Sequence, residues 1–451
     1  MRQKSLAEYC PEYKGTKWIE IELPRKCQPW ILEPKASISK DSYHPDSPDQ
    51  ELLKVLREKP WKWPKKNLVF ISDVHADTDA FIASLVASGG IRKTGPRDKD
   101  FKLTREGRKS LFLIGGDCLD KGPSNLRLLR SVKMLMKKGA RVQILAGNHD
   151  IRSMMGISSV GMEPDPRTDH FFIRMGPKTV PFLKEICDEY LQHKKALRGI
   201  PSSEECRRIL YPPTSWFDEF PKIAGWYMPD ALIDQELQRM GKKLIQFGEK
   251  CDEAGLSLQM VYAAVKKWQS LFLDPKGEFF WFFDRMKLSY DEGSFLFIHA
   301  GLDDRIAHLV NEKGIKHLNR KFRKKIRGNP FDFYYGPLAN TIRTKYRKLD
   351  RPLTRRGVKL MQQSGIQVIV HGHKHLFQGQ RIMLRKGMLN FECDSTIDRG
   401  SRKRANLPGT GAAVTIFRPQ GAVVGISTDH PRIKVFAPSS PDCISTHLSL
   451  A

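Results

Sequence analysis

Five short clusters of polar residues in this chain combine carboxylate, amide and imidazole side chains, the groups that hold divalent transition metals in proteins. Such mixed donors suit Mn, Fe or Zn better than Ca, which prefers oxygen ligands alone. One cluster of this kind is common in soluble proteins, but five together supply the donors for two cations. They are Asp73-Val-His75, Gly116-Asp117-Cys-Leu-Asp120-Lys121-Gly122, Gly147-Asn148-His149-Asp150, His299-Ala-Gly301 and His371-Gly372-His373-Lys-His375.

Each cluster follows a short apolar run of the kind that forms a buried parallel strand. The stretch 125–138, between the second and third runs, has an apolar stripe at helical spacing. Alternating strands and helices predict an α/β fold. Ligands of such folds bind beyond the carboxyl ends of the strands, so we expect the five clusters to converge at one edge of the sheet. The runs begin near residues 67, 110, 142, 295 and 367.

The remaining segments differ from this pattern. Helical spacing at 233–247 and 256–272, with an aromatic run at 279–283 that we assign to the core, predicts a mostly helical insertion. The runs 411–417 and 422–426 predict two closing antiparallel strands. The predicted parts are an irregular N-terminal extension (1–66), a first core part (67–155), a helical cap insertion (156–290), a second core part (291–437) and a flexible tail (438–451).

Composition and charge limit the class of protein. The 451 residues contain no apolar stretch long enough for a membrane span and no apolar leader near the N-terminus, which predicts a cytoplasmic protein. Eight scattered cysteines without a CxxC pair predict reduced thiols. The net charge of +27 predicts an anionic partner, such as a phosphorylated substrate or nucleic acid. Basic clusters at 320–327, 343–356 and 399–404 are interpreted as solvated faces, with a polyanion groove as the alternative.

The order DxH, GDxxDxG, GNHD, HAG and GHxH resembles the calcineurin-like metallophosphoesterases over residues 67–155 and 291–430. The resemblance implies a core built as a four-layered αββα sandwich. It also implies a dinuclear metal centre with seven protein ligands. These are Asp73, His75 and His375 on one cation, Asn148, His299 and His373 on the other, and Asp117 as a bridge between the two.

Elementary chemistry supports the bridging carboxylate. Its negative charge offsets the repulsion between cations about 3.5 to 4 Å apart, and a hydroxide that bridges both ions can attack phosphorus in line. The resemblance implies that His149 protonates the leaving oxygen while Asp150 orients its ring. Asp120 is expected to position a ligand without touching the metal. His371 lies outside the GHxH motif and is expected to have a structural or similar supporting role.

The residues that contact the substrate follow the family less closely. Phosphoprotein phosphatases of this superfamily carry Arg where Lys121 stands, so a bidentate phosphate clamp becomes a point charge. They also lack the second His of GHxH, which is His375 in this chain. The segment 336–343 resembles the Gly-Pro-Leu-Trp-x-x-Arg region of bacterial phosphatase-like and dinucleoside polyphosphate-hydrolysing relatives, without the Trp. Arg343 and Arg152 are therefore further candidates for phosphate binding.

Three functions remain open at this point. The complete ligand set and the HAG motif favour a phosphatase that acts on monoesters of a phosphoprotein or of a small phosphorylated metabolite. The GHxH motif and the basic clusters favour a phosphodiesterase, a nuclease or a dinucleoside polyphosphate hydrolase. A scaffold without turnover would have lost metal ligands, and none is lost.

Overall fold

The computed structural model describes residues 5–32, 61–193, 195–348 and 350–439. The predicted tail lies outside the described residues from 440 onward, as do residues 1–4 and 33–60 of the predicted extension.

The described residues form fourteen strands in three sheets. A seven-stranded sheet has the order β1-β14-β13-β12-β2-β5-β6, a five-stranded sheet has the order β10-β11-β9-β8-β7, and β3 pairs with β4 alone. The strands are β1 Cys27–Pro29, β2 Leu68–Ile71, β3 Ile91–Lys93, β4 Phe101–Leu103, β5 Leu111–Ile114, β6 Arg141–Ile144, β7 Ser289–Glu292, β8 Phe295–Ile298, β9 Val368–His371, β10 Arg381–Arg385, β11 Met388–Glu392, β12 Ala413–Arg418, β13 Ala422–Ser427 and β14 Ile433–Phe436.

The two larger sheets pack face to face because alternate residues of their strands are apolar on the inner side. Phe70 of the first sheet lies 5.8 Å from Phe297 of the second, measured between ring centroids. The outward-facing residues, such as Ile71 and Ile369, join a second apolar cluster with side chains of the surrounding helices. The order of layers is therefore helix, sheet, sheet, helix, which confirms the predicted αββα sandwich.

The five strands that precede the polar clusters belong to both sheets. Strands β2, β5 and β6 are parallel neighbours in the first sheet, and β8 and β9 are parallel neighbours in the second. The expectation that all five clusters lie at the edge of a single sheet is therefore wrong, because they follow strands of two different sheets. A buried strand has the same apolar sequence pattern in either sheet. The pattern therefore does not indicate which sheet a strand joins, since that depends on pairing with strands distant in sequence. The carboxyl ends of these strands nevertheless lie around a common site.

Helices cover both outer faces and fill the region between the two core parts. The predicted helices at 233–247 and 256–272 are observed with somewhat different bounds, and the aromatic residues Phe279 and Phe282 are fully buried as expected. The helices are Thr78–Ala87, Arg105–Lys109, Asn125–Lys137, Asn148–Ser159, Phe171–Met175, Val180–Tyr190, Ser203–Leu210, Trp216–Ala224, Asp230–Glu253, Leu258–Phe272, Phe280–Asp284, Asp304–Arg327, Pro330–Tyr334, Arg355–Gln363 and Arg399–Arg404. In this described part of the chain, no helix combines the length and apolarity that a membrane crossing needs.

The described part of the N-terminal extension is joined to the core, which the sequence did not indicate. Strand β1 pairs in parallel with β14, and Trp30 immediately after it is buried against Phe391 with ring centroids 5.3 Å apart. Trp61 and Trp63 pack on Phe295 of the second sheet. The extension thus completes one edge of the sandwich. The predicted closing strands β12 and β13 are confirmed as an antiparallel pair.

Candidate metal centre

The loops that leave the strands hold several site residues in a left-handed backbone conformation. The φ angle is 56° at Asp73, 42° at His75, 53° at Asp117, 69° at Lys121 and 66° at His373. Residues other than glycine adopt such angles at a cost on the order of 1 kcal/mol or more each, and the surrounding structure must impose them. Backbone strain is therefore concentrated at the residues that the motifs single out.

Two glycines of the motifs allow these loops to approach each other closely. A methyl group on Gly147 would lie 2.0 Å from the backbone nitrogen of Asp117, and one on Gly372 would lie 2.1 Å from Asp73 Oδ2. Neither contact is possible for a larger residue without displacing a loop. The glycines of GNHD and GHxH thus have a steric role in bringing the two sheets' polar loops together.

Two groups of metal-competent side chains meet at Asp117. Asp73, His75 and Asp117 form one group, and Asp117, His299 and His373 form the other, with the donor atoms of each group within 4.8 Å of one another. His75 Nε2 lies 3.8 Å from Asp117 Oδ2, and His299 Nε2 lies 3.5 Å from Asp117 Oδ1. The structure therefore brings together five of the seven predicted ligands, with the predicted bridging aspartate shared by both groups.

Backbone carbonyl groups select the tautomers of the three imidazoles. His75 Nδ1 lies 3.2 Å from the Leu119 carbonyl oxygen, and His299 Nδ1 lies 2.8 Å from that of Gly115, so each Nδ1 carries the proton and donates it. In His373 the donor is Nε2, which lies 3.1 Å from the carbonyl oxygen of Arg343. The remaining ring nitrogen of each histidine is therefore an acceptor, and that of His75 faces the ammonium group of Lys121 at 2.6 Å. Burial, the largest effect, lowers the pKa of His75 and His373 well below the usual value, which favours these neutral forms.

Asn148, the sixth predicted ligand, shows that acceptor atoms converge on one point. Its side-chain oxygen lies 3.2 Å from His299 Nε2, which is an acceptor. Turning the amide by half a rotation instead places its nitrogen 2.9 Å from His373 Nδ1 and 3.3 Å from Asp117 Oδ2. Nitrogen and oxygen lone pairs from four residues face one another here, and a cation between them would satisfy all four. The donor set therefore fits a divalent metal.

Asp73 supports the same conclusion for the first group. Its Oδ1 atom is buried without a hydrogen-bond partner among the described residues, while Oδ2 accepts from the Ser72 hydroxyl and from the backbone N–H of His373. Burial and the nearby carboxylates of Asp394 and Asp117 raise the pKa of Asp73 well above its usual value. A cation beside Oδ1 would offset both the burial and the repulsion between carboxylates.

His375, the seventh predicted ligand, is not part of either group. Its Nδ1 lies 3.1 Å from Asp394 Oδ2, and its side chain is 38% exposed on the wall of the pocket. His375 nevertheless lines the same cavity as Asp73 and Asp117, so its place on the first metal stays a prediction. Asp394 itself was missed, although it lies two residues after the end of β11 and could have been found as one more polar residue at a strand end.

His149 is oriented by Asp120 and not, as predicted, by Asp150. His149 Nδ1 lies 2.9 Å from Asp120 Oδ2, and Arg152 donates to the same oxygen at 3.1 Å. The carboxylate of Asp150 instead accepts three backbone N–H groups, those of Cys118, Leu119 and Gly147 at 2.9, 3.0 and 3.2 Å. Burial, followed by the charge of Asp117, raises the pKa of Asp150 to about 8. Asp150 thus braces the loop around Asp117.

A cavity of about 380 Å³ opens over the two groups and is lined by four cationic side chains, those of Lys121, Lys178, Lys345 and Arg404. We call it the metal pocket. Lys121 was predicted, and its ammonium group lies 2.6 Å from His75 Nε2, at the nitrogen that a metal in the first group would use. Burial and the charge of Lys121 lower the pKa of Lys178 to about 8.

Lys178, Lys345 and Arg404 were not predicted individually. Lys345 and Arg404 fall in the basic clusters at 343–356 and 399–404, but nothing in the sequence distinguishes them from neighbouring cations. Lys178 lies in the turn Pro177–Thr179 inside the predicted cap. Lys178 reaches the metal pocket only because of the tertiary packing of this turn.

Two other predicted phosphate contacts do not line the metal pocket. The guanidinium of Arg343 stacks over the ring of Tyr334 at 4.8 Å, and Arg152 lies behind His149, bonded to Asp120. Arg343 contributes through its backbone carbonyl instead. His371 is fully buried, with Nε2 3.7 Å from Glu392 Oε1, and its expected structural or supporting role stays a prediction.

A comparison with protein-family models agrees with this geometry at the level of the family. Residues 66–245 match the family model described as calcineurin-like phosphoesterase, so the match covers the first group of ligands and ends before His299. No curated protein sequence matches the chain. It is the structure that adds His299 and His373 to the same site.

Solved phosphatase structures resemble the chain weakly. A cold-active protein-tyrosine phosphatase from a psychrophilic Shewanella species is 11% identical, with 85% of this chain and 84% of that one covered at a TM-score of 0.39. A protein serine/threonine phosphatase from Saccharomyces cerevisiae is also 11% identical, with 88% and 91% covered at a TM-score of 0.32. These scores are too low to support any argument about function.

Proposed function

We propose the function of this chain from the premise that it belongs to the calcineurin-like phosphoesterases, whose family model matches residues 66–245. The chain is accordingly a hydrolase that acts on phosphoester bonds. Within this class we propose that it hydrolyses phosphate monoesters, with a phosphoprotein or a small phosphorylated metabolite as the substrate. The proposal includes two divalent metal ions, Mn, Fe or Zn, held on either side of Asp117.

One observation supports the proposal above all others. The two groups of donor atoms share Asp117 and lie at the base of a pocket lined by four cations. A dinuclear centre needs a bridging carboxylate, and a phosphate ester needs positive charge around its oxygens. The cavity of about 380 Å³ is large enough for a phosphoryl group and a side chain or a small leaving group.

The metal ions and the residues of the pocket would have separate roles in the reaction. The metal ions, when bound, would neutralise phosphate charge and activate a water molecule for in-line attack. Lys121, Lys178 and Arg404 would bind and orient the phosphate oxygens. His149 would hold a proton at Nε2 for the leaving oxygen, while Asp120 Oδ2 and Arg152 Nη2, each 2.9 Å from Nδ1, fix the plane of the ring.

The charge of the pocket favours a monoester over a diester. A phosphate monoester carries up to two negative charges near neutral pH, whereas a diester carries one. Four cationic side chains around one cavity therefore stabilise the monoester more strongly. We expect the kcat/KM for p-nitrophenyl phosphate to exceed that for bis-p-nitrophenyl phosphate by roughly tenfold or more, which corresponds to about 1.4 kcal/mol.

The test is phosphate release from p-nitrophenyl phosphate by full-length protein that has been freed of metal and then supplied with Mn, Fe or Zn. Activity should require one of these ions, and Asp117→Asn should abolish both activity and the binding of two metal equivalents. Metal bound at two equivalents without activity toward any phosphate ester would contradict the proposal. So would an Asp117→Asn variant as active as the wild type.

A second candidate is hydrolysis of a diester or of a dinucleoside polyphosphate. It is favoured by Lys178 and Arg404, which come from a turn and a helix that carry no metal ligand and could bind a second phosphate group. Single-stranded DNA and diadenosine tetraphosphate are the discriminating substrates. A higher kcat/KM for either one than for monoesters would replace the leading proposal with this one.

A further inference from the structure

A second cavity, of about 490 Å³, lies beside the segments 346–348 and 350–355 and shares no lining residue with the metal pocket. We call it the basic pocket. Its described lining contains one carboxylate, that of Asp350, and six cationic side chains. The cations are Arg347, Lys348, Arg351, Arg355, Arg385 and Lys386.

Two of these cations have a carboxylate partner: Arg347 Nη2 lies 3.5 Å from Asp350 Oδ1, and Arg385 pairs with the buried Glu392. Asp350 Oδ2 accepts the backbone N–H groups of Lys345 and Arg347 at 2.7 and 3.0 Å, so it is engaged in holding the loop. Arg351 Nη1 is buried without a hydrogen-bond partner among the described residues. Burial and the neighbouring charge of Arg305 lower the pKa of Arg351. The positive charges that these two ion pairs leave over lie close together, and an anion bound between them would reduce their repulsion.

The walls of the pocket suit a phosphate-bearing ligand of limited size. The helix Arg355–Gln363 begins at the pocket with Thr354 as its N-cap, so the positive end of the helix dipole adds to the side-chain charge. The guanidinium of Arg385 is held over the ring of Tyr346 at 4.5 Å. Pro352 and Leu353 supply an apolar wall. The volume lies within the range of ordinary ligand pockets.

We propose that the basic pocket binds a compact polyphosphate, either as a free inorganic chain or as the triphosphate of a nucleotide. Guanidinium groups bind phosphate oxygens in pairs, and the crowded arginines of this pocket match the closely spaced charges of such a chain. The proposal gives a role to the basic cluster at 343–356, whose alternative interpretation was a polyanion groove. It does not depend on the reaction proposed for the metal pocket.

The basic pocket is connected to the metal pocket by a single short loop. The carbonyl oxygen of Arg343 accepts from His373, Lys345 lines the metal pocket, and Tyr346 lines the basic pocket. The Tyr346 hydroxyl accepts the backbone N–H of Leu302 at 3.1 Å, just beyond the HAG motif. The two sites are therefore separate but structurally adjacent.

The test is isothermal titration calorimetry of the full-length chain in EDTA, with tripolyphosphate and ATP as ligands. The variant Lys348→Glu/Arg355→Glu reverses two exposed charges of the basic pocket and should weaken binding by tenfold or more. The control Lys102→Glu/Arg105→Glu makes the same change in another cation-lined cavity and should leave the affinity unchanged. A second control, Lys178→Met/Arg404→Met, removes two cations of the metal pocket and should also bind normally.

The outcomes separate the sources of any binding. Equal affinity for tripolyphosphate and ATP would mean that the pocket binds the phosphates alone. Tighter binding of ATP would mean that the nucleoside also contributes to the affinity. Both results support the proposal. If Lys102→Glu/Arg105→Glu weakened binding as much as Lys348→Glu/Arg355→Glu, the effect would be a general electrostatic one. If only Lys178→Met/Arg404→Met lost binding, the ligand would bind in the metal pocket. Either result, or the absence of binding by the wild type, would overturn it.

Discussion

Replacing Asp120 with asparagine should slow turnover while leaving the metal centre occupied. Asp120 Oδ2 lies 2.9 Å from His149 Nδ1 and accepts a hydrogen bond from Arg152 at 3.1 Å. The Asp120 side chain is only 2% exposed. A hydrogen bond to a charged group contributes about 1.5 to 3 kcal/mol. If His149 needs that bond while it transfers its proton, kcat falls by about 10- to 150-fold, since 1.36 kcal/mol is a factor of ten.

The matched variant is Asp150→Asn, which distinguishes the observed arrangement from the one predicted by sequence. Because Asp150 braces the Asp117 loop through three backbone hydrogen bonds, its loss should lower metal content and the Tm. The control is Asp98→Asn, whose carboxylate pairs with Arg127 at 2.6 Å on a partly exposed surface and should change neither kcat nor metal content.

The assay combines kcat for p-nitrophenyl phosphate, metal per chain by plasma mass spectrometry and the Tm by calorimetry. The reasoning is refuted if Asp120→Asn keeps the full kcat while Asp150→Asn loses it with normal metal content and Tm. That result would mean that Asp150 orients His149 in the working enzyme.

Three further predictions follow from contacts elsewhere. Gly372→Ala places a methyl group 2.1 Å from Asp73 Oδ2, so plasma mass spectrometry should find about one metal fewer per chain. Lys121→Met removes the ammonium group that contacts the first donor group, so calorimetry should show tighter metal binding while the KM for p-nitrophenyl phosphate rises several-fold. Glu236→Gln breaks a buried ion pair with Arg174 and should lower the free energy of unfolding by about 3 to 5 kcal/mol in urea titrations. Burial alone would raise the pKa of Glu236, but Arg174 lowers it from 4.5 to about 2, so the wild type should lose this stability as the pH falls from 4.5 toward 2 and the variant should not.

The strands that carry the site could be predicted because each is a short apolar run followed by polar residues. The run at 110–115 is observed as Leu111–Ile114, and the run at 367–371 as Val368–His371. Their division between two sheets could not be predicted, since β9 lies between β8 and β11 through contacts distant in sequence. Strand β1 was missed because Cys27–Pro29 is only three residues long and contains a proline, which shows no strand pattern.

The candidate metal ligands could be predicted for a different reason. Their residue types are restricted by coordination chemistry, and their positions directly follow the strands. The cations of the metal pocket are not restricted in this way, because any lysine or arginine that reaches the cavity can serve. Lys178 reaches it only through the packing of the predicted cap, where the turn Pro177–Thr179 contacts the helix Asp230–Glu253. Site residues of that kind require the tertiary structure.

The exchange of roles between Asp120 and Asp150 has a local physical cause. Asp150 occupies the third position of the helix Asn148–Ser159, where the first backbone N–H groups have no partner within the helix. Its carboxylate accepts the N–H of Gly147 there, as acidic side chains at this position commonly do. Successive side chains of a helix point about 100° apart, so a residue adjacent to His149 in sequence faces away from its ring. The carboxylate that does face the ring must come from another segment, and the loop after β5 supplies it as Asp120.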